Sequence, residues 1–256
     1  MEKWRLLEPE KQDDSFLKMA KEEAILNSVA SGKSPPTLRF YSWKSPAVSI
    51  GYFQCAQKEL FLDRCRKDGL EIFRRLTGGG AVYKCPFGEM NYSFIAPENH
   101  PLIPKDIPQS YALICGAVMK GLENLGLSPT FKPVNDILIN GKKVSGNAQT
   151  RVNSCLLQHG TILIDFCGDK MAPYLRIDPE KMRQRGADSV ADLVTCLNSC
   201  SGRQVLQEDV AKEVTRGFEK KFGIRFIAGE LSEEEETEAH ALSENKYATE
   251  KWNFWR

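Results

Sequence analysis

The chain has 256 residues, a net charge of +1, and 41% hydrophobic and 27% charged residues, the composition of an ordinary globular protein. Near-neutrality argues against bulk binding to nucleic acid or an anionic membrane, so any anion site must be local. No apolar run approaches the roughly 18 residues that span a bilayer, and the start MEKWRLLEPEKQDD is too polar for a signal peptide, so a cytoplasmic protein is expected.

Taken in chain order, Ser15 to Ala30 carries apolar residues at helical spacing behind an Asp14 or Ser15 cap. Thr37 to Trp43 and Ala47 to Phe53 are β-rich runs separated by Lys44-Ser45-Pro46 and predict two paired strands. Residues 56 to 68 return to helical spacing and stop at Gly69. Strand-like runs follow on either side of Gly78-Gly79-Gly80, then at Met90 to Ala96. A proline-bearing loop leads into a helix over Tyr111 to Leu125. Short strands are expected at 130–132, 136–139, 143–144 and 155–165, with Asn140-Gly141 as a hairpin turn. From Met171 the pattern is mostly helical: 171–176, 188–197 and 207–222. The acidic run Glu233 to Glu236 reads as a solvated helix face. The eight cysteines (55, 65, 85, 115, 155, 167, 196, 200) include no CxxC pair, so reduced buried thiols are expected rather than a zinc site. The whole describes an α+β fold, a mixed and largely antiparallel sheet flanked by helices. It is read as one domain over 1–256 with a helical tail at about 229–256.

The stretch EIFRRLTGGGAVYKCPFGEMNYS, residues 71–93, organises the rest. Three glycines between strand-like runs suit backbone that turns sharply or lies close against another molecule. With Arg74 and Arg75 just before them, they could cradle an anion; alone, they would equally suit a glycine-rich hairpin with solvated arginines. They match neither GxGxxG nor GxxxxGK[ST]. A second polar cluster comes later: Asn135-Asp136, then Gly141 to Gln149, then Gln158-His159-Gly160-Thr161. Polar and small residues that repeatedly interrupt strands are poorly explained by packing and could line a pocket. Cations for phosphate, a carboxylate for Mg2+ and small residues for close approach are what nucleoside triphosphate chemistry requires.

RRLTGGGAVY, NDILINGKKVSGNAQ and QHGTILID together resemble the lipoate-protein ligase A family, in the biotin/lipoate protein ligase superfamily. The resemblance covers residues 37–165 most strongly. It implies a biotin/lipoate ligase-like catalytic domain that activates lipoate with ATP and Mg2+ to lipoyl-AMP. The lipoyl group would then pass to a lysine of a lipoyl-acceptor domain, of the 2-oxoacid dehydrogenase E2 or glycine-cleavage H protein type. It implies Lys143 as the catalytic cation, with Lys142 turned to solvent. One of Arg74 and Arg75 would meet phosphate or carboxylate. Gly78, Gly79 and Gly80 would form a backbone floor, with Thr77, Ala81 and Tyr83 beside them. Asn135 and Asp136 would gather phosphate, Asp136 holding the metal. Ser145, Gly146 and Ala148 would contact adenylate, while His159, Gly160 and Thr161 would shape the acyl tunnel.

The chain departs from that family where Lys84-Cys85 stand in place of the usual His-Asp, and where no further accessory domain follows the helical tail; a separate accessory subunit would supply it. The same superfamily offers an alternative, an octanoyltransferase that uses a cysteine thioester and no ATP. Its cysteine falls where this chain has Phe131-Lys132-Pro133-Val134, which leaves Cys85 and Cys155 as displaced candidates. A protein that binds ready-made lipoyl-AMP is the third reading.

Overall fold

The computed structural model describes every residue except 11, 12, 166, 167, 178, 179, 181, 182, 184–186 and 188. Cys167 and the start of the expected 188–197 helix therefore lie outside the described residues. Eight strands form the main sheet in the order β11-β1-β2-β6-β10-β9-β8-β7, and three form a second sheet, β4-β3-β5. The strands are β1 (Lys3–Glu10), β2 (Thr37–Tyr41), β3 (Ala47–Ile50), β4 (Glu71–Arg74), β5 (Val82–Lys84), β6 (Glu89–Pro97), β7 (Pro129–Lys132), β8 (Asp136–Ile139), β9 (Lys142–Val152), β10 (Cys155–Leu163) and β11 (Arg225–Gly229). β1 runs parallel to both β2 and β11, and the other pairs of the large sheet are antiparallel. The expected mixed, largely antiparallel α+β architecture is what forms.

The two faces of the large sheet serve different purposes, because side chains alternate along each strand. Met90, Tyr92 and Phe94 of β6 and Leu156 and Ile162 of β10 point into the main core. That core is closed by two helices, α2 (Ile107–Asn124) and α3 (Gln207–Phe222). Their contact is close: a Cβ on Gly121 would lie 2.5 Å from Val214, and one on Gly217 2.2 Å from Ala117. The intervening residues Glu89, Asn91, Ser93, His159 and Thr161 point the other way. There helix α1 (Ser15–Ala30) and the three-stranded sheet cover them. Asp14 caps α1 by accepting the amide of Leu17 at 2.8 Å.

Several sequence expectations change. The runs at 37–43 and 47–53 do not pair; Lys44-Ser45-Pro46 carries the chain from one sheet to the other. Strands β1 and β11 were not expected, since charged residues dilute the apolar signal in KWRLLEPE and RFIAG. The α2 helix starts earlier than Tyr111, at Ile107 behind the Asp106 cap, with Pro108 tolerated in the first turn. The 56–68 helix is broken at Leu60, which bridges Leu175. The described part of the 188–197 helix stops at Leu193, because Val194 bridges Lys143 and the Thr195 amide donates to the Lys143 carbonyl at 2.9 Å. The acidic run starts helix α4 (Glu233–Leu242), but Glu235 is buried rather than solvated. Asn140 and Gly141 both take positive φ, 51° and 77°, as a tight hairpin turn requires. Among the described residues no helix is long and apolar enough to cross a membrane.

Candidate active site

A cavity of about 890 Å³ opens between the polar face of the large sheet and the three-stranded sheet. Lys143, Asp136 and Asn135 belong to its lining, together with Gly79 and Gly80 from the glycine turn. Lys143 and Asp136 form an ion pair of 2.6 Å and keep 37% and 27% of their side-chain surface exposed, so they stand at the mouth. Lys142 points outward as expected, its ammonium donating to the Ala191 carbonyl at 2.9 Å.

A β-bulge places Lys143. Ile137 pairs with Ser145, but the next residue, Leu138, pairs with Lys143, so Val144 is extra. Strict alternation would put Lys143 and Ser145 on one face; the inserted residue separates them. Lys143 swings to the cavity with Leu138 and Gly146, while Ser145 turns to the core beside Ile137, fully buried. The expected contact of Ser145 with a nucleotide is therefore corrected: its hydroxyl faces Asn147 on the far side. Gly146 leaves room for Lys143 to lie across it. A Cβ there would come within 2.6 Å of Nζ.

The arginine pair also divides. Arg75 lines the cavity, donates to Ser49 Oγ at 2.7 Å, and holds the carbonyls of Gly78 and Gly80 at 3.0 Å each. Burial pulls its pKa down to about 10. Arg74 faces away and fixes structure instead. Its guanidinium donates to the carbonyls of Gly51, Tyr52, Gln54, Trp252 and Asn253. Of the three glycines only Gly79 needs positive φ, 96°. Gly51 accepts this turn closely, since a Cβ there would meet the Gly79 carbonyl at 2.1 Å. Ala81, Tyr83, Ala148, His159, Gly160 and Thr161 line the cavity, whereas Thr77 and Gly78 sit behind it. A Cβ on Gly160 would strike Asn147 Oδ1 at 2.0 Å, so this glycine serves packing on the core face.

His159 is held at both ring nitrogens. Nε2 shares a 2.7 Å hydrogen bond with Thr77 Oγ1, and Nδ1 lies 2.9 Å from the Glu22 carboxylate. Burial would raise the Glu22 pKa, but His159, Ser93 and Arg39 outweigh it and the net shift is downward. An ionised carboxylate only accepts, so Nδ1 carries the proton. Glu22 was missed in the sequence because it hides in an amphipathic helix pattern. So was the 190–194 segment, whose Val190, Asp192, Leu193 and Val194 line the mouth.

The thiols divide too. Cys55, Cys65, Cys115, Cys155, Cys196 and Cys200 are free, but Cys85 is disulfide-bonded, which corrects the expectation of a reduced thiol there. Cys115 and Cys155 are pushed up to about 12 by burial and are absent from the cavity lining. Among the described residues no three His, Cys, Asp or Glu side chains converge on a metal position, and the Asp136 carboxylate is engaged by Lys143. The donor set thus does not form a protein-held metal cage.

The fold is that of a lipoate-protein ligase catalytic domain, in the biotin/lipoate protein ligase superfamily. Within it the chain belongs to the lipoyl protein ligase A/B catalytic domain family, whose model matches residues 14–219. Solved structures that are similar over nearly the whole chain include two lipoate ligases. One is the bipartite lipoate protein ligase of Thermoplasma acidophilum, studied with its E2 lipoyl domain. It is 32% identical with a TM-score of 0.87, covering 99% of this chain and 97% of that one. The other is a lipoate-protein ligase A bound with ATP, 31% identical with a TM-score of 0.81, covering 99% of both. Among curated proteins, the octanoyltransferase LipM of Brevibacillus brevis is 34% identical, with all of both chains covered. The octanoyltransferase LipM of Bacillus subtilis is 32% identical over 100% of this chain and 99% of its own. These curated relatives overturn the ATP-dependent lipoate ligase expected from the motifs.

Proposed function

We propose that the chain transfers an octanoyl group from a carrier thioester to the ε-amine of a lysine on a lipoyl domain, without ATP. The observation that carries this reading is the cavity that joins an exposed cation, Lys143, to a buried recess lined by Met19, Tyr41, Trp43 and Phe73. The whole-length similarity to octanoyltransferases supports it. The thioester carbonyl rests beside Lys143 and the acyl chain runs from there along the cavity toward the recess. As the acceptor amine attacks, the carbonyl oxygen gains negative charge, which the Lys143 ammonium stabilises in a partly desolvated site. Collapse breaks the C–S bond and forms the amide; the carrier leaves as a thiolate and takes up the proton lost by the amine.

A covalent acyl-enzyme would require a thiol in the cavity. Among the described cysteines Cys85 alone lines it, and its disulfide would have to be reduced first. The test is incubation of the purified chain with octanoyl-loaded acyl carrier protein and a lipoyl domain, with and without reductant, followed by intact mass. Octanoylated lipoyl domain in the absence of ATP is expected. No transfer in either condition would overturn the reading. A second reading, transfer from ready-made lipoyl-AMP, is favoured by the lack of a thiol at Phe131-Lys132-Pro133-Val134. Supplying lipoyl-AMP as donor in the same assay separates the two.

A further inference from the structure

Inside the cavity a second lysine stands where a greasy wall would be the simpler solution. Lys84 ends β5, and its ammonium donates to Thr161 Oγ1 at 2.8 Å and Asn91 Oδ1 at 3.1 Å, with Glu89 Oε1 at 3.3 Å. It also lies 5.2 Å from the centroid of the Trp43 ring. Glu89 Oε1 accepts further from Trp43 Nε1 at 2.6 Å and Asn91 Nδ2 at 3.0 Å. The Lys84 and Glu89 side chains are only 7% and 1% exposed, and all of these residues line the cavity. Burial pulls the Lys84 pKa down, against the opposing pull of Glu89. Such a charged group in a recess is costly unless it is fully braced, as it is here.

Its position along the sheet gives it a purpose. Asp136, Gly146, Thr161, Asn91 and Tyr41 face one another in successive strands β8, β9, β10, β6 and β2. Lys143 lies over Gly146, and Lys84 bridges Thr161 and Asn91. Neighbouring strands are ~4.8 Å apart; Lys143 Nζ, paired with Asp136 over Gly146, sits between β8 and β9, and Lys84 Nζ between β10 and β6, so two spacings, roughly 10 Å, separate the ammonium groups. An eight-carbon acyl chain has seven C–C bonds of about 1.5 Å and reaches roughly 9 Å when extended. A chain whose carbonyl sits at Lys143 therefore brings its tip to Lys84. Beyond, toward β2, lie Tyr41, Trp43, Phe73 and Met19, an apolar cluster that continues the cavity past the Lys84 ammonium.

We infer that Lys84, braced by Glu89, Asn91 and Thr161, determines specificity by stopping the acyl chain at about eight carbons. This rests on the acyl-transfer reading of the same cavity. The experiment compares the wild-type chain with Lys84→Met, Lys84→Arg and the double variant Lys84→Met with Glu89→Gln, which leaves no unpaired buried carboxylate. Two readouts are taken: calorimetric binding of free octanoate, decanoate and dodecanoate, and kcat/KM for the matching carrier thioesters. The wild type and Lys84→Arg should prefer eight carbons. Lys84→Met should improve the longer chains relative to octanoyl by about tenfold or more, the scale on which a pocket discriminates methylenes. The double variant should do the same, and it gives the answer if the single variant fails to fold. An unchanged chain-length ranking in the folded variants would overturn the inference. Wild-type binding of fatty acids without any transfer would instead remove the acyl-transfer reading, while the binding ranking still judges Lys84.

Discussion

Lys143 and Gly146 form one unit at the residue scale, since the lysine crosses the strand where the glycine leaves room. Lys143→Ala should lower acyl transfer by roughly two to three powers of ten, the usual worth of one charge-stabilising donor. Its melting temperature should stay close to wild type, because the side chain is 37% exposed and its ion pair lies at the mouth. Undiminished transfer, read by intact mass of the acceptor, would take Lys143 out of the mechanism. Gly146→Ala should behave similarly for a different reason. Its Cβ meets only the end of the flexible Lys143 side chain, so the ammonium moves and rate falls while the fold survives. Gly160→Ala is the contrasting case. Its Cβ would press on Asn147 and Tyr92, which are tied to each other by a 2.7 Å hydrogen bond. A stability loss of about 1–3 kcal/mol is expected, measured by urea denaturation; equal stability of the two alanine variants would contradict this division of roles.

At the scale of elements, the first strand and helix α4 are joined by a buried pair. Arg5 donates to both oxygens of Glu235, at 2.7 and 2.6 Å, and Glu235 also closes the capping box of α4 with Ser232. Burial would raise the Glu235 pKa, but the hydrogen bonds from Arg5, Ser232 and Ser34 outweigh it and hold it below the usual 4.5. A folded pKa below the unfolded one means that this stabilisation is full above the unfolded value and is lost as pH falls through the folded one. Removing one partner of such a pair costs about 3 kcal/mol. Glu235→Gln should therefore destabilise the chain at pH 7 and flatten the acid limb of its stability curve below pH 4.5. An acid limb parallel to wild type would show that the pair does not drive the acid response.

Much of this was legible at the level of the whole molecule, and the failures share a cause. The glycine turn, the Asn140-Gly141 hairpin and the clustering of 135–149 with 158–161 could be read because turn residues and polar interruptions are local signals. Ser145 was misplaced because one extra residue in a strand reverses every later side chain, and a bulge leaves no mark in composition. Arg74 and Arg75 could not be told apart, since which one is buried under the tail depends on residues 252 and 253, almost 180 positions away. That tail is where the last prediction lies. Lys246 and Tyr247 bind Glu23, Trp252 Nε1 donates to the Arg74 carbonyl at 3.0 Å, and Asn253 Oδ1 accepts the Arg74 amide at 2.8 Å. Ala239 and Tyr247 also bury Met19, Ala20 and Ala24 of α1 beside Phe73 and Trp43. A chain ending at residue 229 would leave Arg5 without Glu235, strip two carbonyls from Arg74 and bare the apolar face of α1, directly behind the cavity. Losses of this kind, each worth about 1–3 kcal/mol, exceed the ~5–15 kcal/mol margin of a typical domain once several are combined. The truncated chain should show no cooperative melting transition and should bind no octanoate; a wild-type transition would mean that residues 230–256 are an appendage rather than part of the folding unit.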